Sequence, residues 1–215
     1  MQRIVLFGGL IFVFCWFPAV ECVAAPITFD FTGTVTSIIV YPNYSPPPPD
    51  VFVGAAVLGS YTFESTVTDG SAATNTGMYV SSGSPYGFAV QVGSLSVIDD
   101  YVRIFVLSDS YAFPQYNASS EYKMPGYNAG IALLFPTGPV FPTDSLPTAP
   151  PDLNSFANRG GNITYYPLAG MGTMQGYRVS FRLDSLTTPI PEPMSLTLVA
   201  LGIIGIGALR FCRRI

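Results

Sequence analysis

Histidine is missing from all 215 residues, and the three cysteines, Cys15, Cys22 and Cys212, sit in the two terminal segments with the only tryptophan, Trp16. Without imidazole or thiol between those ends, Ser-His-Asp and Cys-His nucleophilic catalysis, the usual zinc sites and histidine acid/base chemistry are excluded there. Disulfides are excluded too, so the domain between the ends must be held by its core. Charge is scarce, at 10% of residues, and Lys123 is the only lysine. Between Ala25 and Ile190 stand five basic against eleven acidic side chains, a net of −6. A surface with no basic stripe cannot neutralise a phosphate backbone, which argues against a nucleic-acid partner.

What is abundant at the two ends is apolar. Arg3 precedes a run from Ile4 to Phe17, and the small residues Ala24 and Ala25 follow it, the three-part layout of a secretory signal peptide over residues 1–24. Cleavage is expected after Ala24; a cut after Ala25 would leave Pro26 in the way. Glu21 stands where lipidation of Cys22 would need a small residue. At the other end, Pro191, Glu192 and Pro193 precede an uncharged run from Met194 to Leu209, and Arg210, Arg213 and Arg214 follow. As a helix that run spans roughly 24 Å, a short transmembrane segment helped by snorkelling arginines. The arginines fix their end on the cytoplasmic side, so all that precedes Pro191 faces outward.

The order Pro-Glu-Pro, short apolar helix and arginine cluster resembles the PEP-CTERM sorting signal of Gram-negative bacteria, here over residues 189–215. The resemblance implies an exosortase as partner, cutting near the motif, and passage from an inner-membrane intermediate to the cell surface or extracellular polysaccharide matrix. A plain C-terminal anchor on a proline-rich stalk would share the same topology.

Residues 25–188 suffice for one domain with one core. Strict apolar/polar alternation in Ile27 to Thr36 and in Tyr177 to Asp184 predicts half-buried strands at both ends. Further strands are predicted at Val53 to Phe63, Met78 to Val80, Tyr86 to Val97, Val102 to Leu107, Glu121 to Met124, Gly130 to Phe135 and Ile163 to Leu168. No sustained period near 3.6 is present, so the expected class is all-β, an antiparallel β-sandwich, jelly-roll-like. Three loops stand out: proline-rich Pro42 to Asp50, expected to drape over a sheet edge, Pro136 to Pro151, and Ala157 to Asn162, expected to turn tightly at Arg159-Gly160-Gly161. Phe31-Thr32-Gly33-Thr34-Val35, Gly59-Ser60-Tyr61-Thr62-Phe63, Ser145-Leu146-Pro147 and the last strand, from Arg178 to Leu186, together resemble a recurrent PEP-CTERM cargo domain. That resemblance implies an architecture and a destination, and no catalytic residues.

Chemistry within the domain has few candidates. Ser120 and Lys123 satisfy Ser-x-x-Lys spacing, but on a strand-like stretch instead of a helix start. Carboxylates for glycoside hydrolysis could come from Asp99, Asp100, Asp109, Glu121 and Glu64, if two of them lay about 5–10 Å apart. Asp99, Asp100 and Asp109 are also candidate calcium ligands, oxygen donors that need no thiol or imidazole. All 13 tyrosines lie in this domain, and Tyr41, Tyr44, Tyr111, Tyr116, Tyr122, Tyr127, Tyr165 and Tyr166, in or near expected loops, could present rings to sugar faces. The expected role is therefore structural or adhesive and non-enzymatic, among extracellular polysaccharide. The alternatives are a carboxylate glycosidase and a calcium-dependent carbohydrate-binding module.

Overall fold

The computed structural model describes residues 26–42, 44–121, 126–167 and 176–189. The expected signal peptide, its cleavage residues Ala24 and Ala25, the Pro191-Glu192-Pro193 motif, the 194–209 helix and Arg210, Arg213 and Arg214 lie outside them. Among the described residues no helix is long and apolar enough to cross a membrane.

Ten strands follow one another: β1 (Pro26–Val40), β2 (Ala56–Glu64), β3 (Thr76–Ser82), β4 (Gly87–Val92), β5 (Leu95–Asp99), β6 (Tyr101–Leu107), β7 (Gln115–Ser119), β8 (Gly126–Pro136), β9 (Phe156–Tyr166) and β10 (Tyr177–Thr187). A single 3-10 turn at Leu153–Ser155 precedes β9. Every pairing is antiparallel, as the alternation predicts. The strands form one sheet in the order β3-β6-β7-β8-β9-β10-β1-β2-β4-β5. Two separately bonded sheets, as in a sandwich, are not what forms. The sheet instead curls into a half-barrel, so that β2 and β4 face β6 across the interior.

Two devices produce the curl. The 15-residue β1 carries register shifts against β10 between Thr32 and Gly33 and between Val35 and Ser37, which bend the strand and raise its twist. Between β5 and β6 stands one residue, Asp100, at which the chain leaves one end of the sheet and joins the other. The backbone N–H of Gly83 donates to the Asp100 carbonyl at 2.7 Å and ties that corner down.

The interior is aromatic. Phe29, Phe31, Tyr61, Phe63 and Phe88 are almost wholly buried, and each phenylalanine contributes roughly 2–3 kcal/mol by leaving water. Phe29 meets Phe63 edge to face, with centroids 5.3 Å apart and planes at 78°, the arrangement that ring quadrupoles favour. At the end of β8, β9 and β10, Tyr127, Tyr165 and Tyr177 pair across the strands, with hydroxyls of Tyr127 and Tyr177 3.1 Å apart.

Three expectations about elements are corrected. Ala157 to Asn162 is no tight turn but the first part of β9, where Gly160 and Gly161 pair with Arg182 and Phe181. A Cβ at Gly161 would enter the Phe181 ring and the Gly130 carbonyl, so the glycine is there for close approach. Tyr86 to Val97 is a hairpin, β4 and β5, reversed at Gly93 (φ +55°) and Ser94. Glu121 lies outside any strand, and the strand expected from it is placed earlier, as β7; Tyr122, Lys123 and Met124 lie outside the described residues. The Pro42 to Asp50 loop ends against the β4–β5 turn: Asp50 accepts from the Ser94 N–H at 2.6 Å and its hydroxyl at 2.9 Å. These bonds, the hydroxyl's first, hold the Asp50 carboxyl below its ordinary range.

Candidate binding surfaces

The three aspartates proposed as calcium ligands are not brought together. Asp99 ends β5, Asp100 is the corner, and Asp109 lies beyond the far end of β6, a strand whose seven residues span about 20 Å. The carboxylates of Asp99 and Asp109 each accept from a backbone N–H. Asp99 is buried and its Oδ2 accepts from the Glu121 N–H at 3.0 Å; Asp109 accepts from the Val140 N–H at 3.1 Å and donates its own N–H to Phe141. Among the described residues no group of three or more acidic or cysteine side chains is placed to share an ion. Glu64 ends β2 and accepts from the Thr66 hydroxyl at 2.9 Å. The Ser120 hydroxyl, buried, accepts from the Ala129 N–H at 3.0 Å, a structural use of the serine in the Ser-x-x-Lys spacing.

Of the candidate tyrosines, Tyr41, Tyr44 and Tyr111 lie in loops, with Tyr111 exposed, and Tyr122 lies outside the described residues, but the others are on strands. Tyr116 is fully buried and faces Tyr61, while Tyr127, Tyr165 and Tyr177 pack on one another. Desolvation raises the hydroxyl pKa values of Tyr61, Tyr116 and Tyr177 well above the ordinary 10.0.

Two surfaces expose other rings. Beyond the end of β8 a cleft of about 550 Å³ is bordered by Phe113, Phe135, Asp109, Pro114, Pro136 and Pro139. Inward positions on β8 run Ala129, Ile131, Leu133, and the alternation would make Phe135 the next. Its backbone is instead left-handed, φ +54°, and the ring stands 54% exposed, with Phe113 at 65%. A non-glycine residue held there costs about 1–2 kcal/mol.

On the outer face of the other half, a groove of about 410 Å³ runs over β3, β6 and β7, lined by Met78, Arg103, Phe105, Gln115, Asn117 and Ser119. The pleat explains the set. Val102, Ile104 and Val106 point into the core, so Arg103 and Phe105 point out; Tyr116 and Ala118 point in, so Gln115, Asn117 and Ser119 point out. Register then aligns Met78, Phe105 and Asn117 in one cross-strand row and Val80, Arg103 and Ser119 in the next. The Phe105 ring is half-buried, and the side chains of Arg103, Gln115, Asn117 and Ser119 have no hydrogen-bond partner among the described residues. A ring surrounded by unused donors and acceptors on three rigid strands can stack a flat apolar face and bond its polar rim. Residues 115–119 are not among the expected strands, since three of the five are polar; their alternation with Tyr116 and Ala118 is the available signal.

No family model, no curated protein and no solved structure matches the chain.

Proposed function

We propose that the chain is an exported surface or extracellular-matrix protein. In this reading residues 1–24 are removed as a signal peptide, an exosortase processes the 189–215 tail with its 194–209 membrane helix, and the β-domain then has a structural or adhesive role toward extracellular polysaccharide. The observation that carries the adhesive part is the outer-face groove. Pyranose rings offer an apolar C–H face and a hydroxyl rim, and Phe105 with Gln115, Asn117 and Ser119 offers the matching platform and partners. The sorting part rests on the order of motif, apolar run and arginines in the tail.

One experiment addresses both parts. In a Gram-negative host that produces an exosortase, the wild-type chain is expected in the polysaccharide fraction. Its intact mass should lack residues up to about Ala24 and everything after about Pro193. The Phe105→Ala variant, processed identically, should shift to the culture medium. A mass that retains Arg213 and Arg214, found only in membranes, would overturn the sorting reading; wild type and variant equally abundant in the medium would overturn the adhesive one.

A further inference from the structure

Cations are few in this domain, and most are committed. Arg182 pairs with Asp184 at 3.0 Å, Arg159 donates to the Asn154 side-chain carbonyl at 3.1 Å, and Arg178 has partners of its own. Arg103 is the one arginine among the described residues without such a partner. It also lines the groove, two residues before Phe105 on the same face of β6 and directly opposite Ser119 on β7. No carboxylate lines that groove. A positive charge is thus set beside an aromatic platform, in a domain whose net charge is negative.

We propose that the groove takes a sugar residue bearing a carboxylate, a uronate unit of an acidic polysaccharide. The guanidinium presents a planar fork of donors that matches a carboxylate in a bidentate pair. Phe105 lies under the sugar's C–H face, and the amides of Asn117 and Gln115 with the Ser119 hydroxyl meet the ring hydroxyls. The domain's net negative charge does not prevent this. At 0.15 M ionic strength repulsion is screened beyond about 8 Å, whereas a contact pair is screened much less. The same balance favours short oligomers over long polyanions at low salt.

This inference rests on the groove being a glycan site, and the test separates the two. Uronate trisaccharides (mannuronate, guluronate and galacturonate) and their methyl esters are titrated by calorimetry against the full chain in detergent, as wild type, Arg103→Gln, Arg103→Lys and Asn117→Ala. Expected are binding of at least one acid form, affinity for its ester lower by about tenfold or more, and the same loss for the acid form in Arg103→Gln. Arg103→Lys should fall between, because it keeps the charge without the fork. Equal binding of acid and ester, unchanged in Arg103→Gln but weakened in Asn117→Ala, would overturn the uronate assignment and leave a neutral-glycan groove. No binding to any form, in a chain whose melting is cooperative, would overturn both.

Discussion

The hydroxyls of Tyr61 and Tyr116 lie 2.9 Å apart inside the core, joining β2 to β7 across an interior that four intervening strands curl to enclose. Both rings are almost fully buried, so each hydroxyl depends on the other. Replacing either by phenylalanine strands its partner and should cost about 1–3 kcal/mol. Tyr61→Phe combined with Tyr116→Phe should cost less than the two single changes together, because no unpaired hydroxyl remains. Urea denaturation of the four proteins forms the double-mutant cycle that checks this.

The same pair sets a pH response. Burial raises both tyrosine pKa values in the folded state, and the unfolded chain ionises near 10.0. Above pH 10 the unfolded state therefore holds fewer protons, and stability falls by about 1.4 kcal/mol per pH unit for each buried tyrosine. Below pH 10 this contribution is fully present. Unfolding followed from pH 9 to 12 should show the loss beginning near pH 10, with the buried tyrosinate absorbance appearing only together with the loss of structure.

Phe135 is held in a conformation that glycine adopts freely. Relief of about 1–2 kcal/mol is offset by glycine's backbone entropy, about 0.5–1 kcal/mol, so Phe135→Gly should keep stability within about 1 kcal/mol of wild type. Leu133→Ala, two positions earlier and fully buried, should cost about 2–5 kcal/mol. Thermal melts of both variants distinguish an outward ring from a core one.

Gly161→Ala tests the first part of β9, expected from the sequence to be a tight turn. In an exposed turn an added methyl would change little, whereas in β9 it collides with the Phe181 ring and the Gly130 carbonyl. A cost of about 1–3 kcal/mol is expected, read as a lowered denaturation midpoint.

What was legible follows from this physics. β1 and β10 alternate apolar and polar residues on a sheet with one wet face, so their period could be read directly, and β6 was legible as a short run rich in β-branched and aromatic residues. The second part of β9 falls in the strand expected from Ile163, but its first part was hidden because Arg159-Gly160-Gly161 carries turn chemistry while serving close packing against Phe181. β7 was hidden because its outward residues are Gln115, Asn117 and Ser119. Those side chains belong to the groove, so the polarity that suits them to a ligand also disguised the strand that holds them. Curling of one sheet depends on strand order and bulges, which alternation does not encode. Asp99, Asp100 and Asp109 were grouped by nearness in sequence, and an extended β6 then separates Asp109 from the other two.

Affinity electrophoresis of the full chain in detergent at about 0.15 M ionic strength, where long-range repulsion is screened, through gels cast with an acidic extracellular polysaccharide, tests the central claim most directly. Wild type should be retarded in proportion to polysaccharide concentration, and Phe105→Ala and Arg103→Gln should migrate as in a gel without it. Equal migration of all three proteins at every concentration would contradict the account.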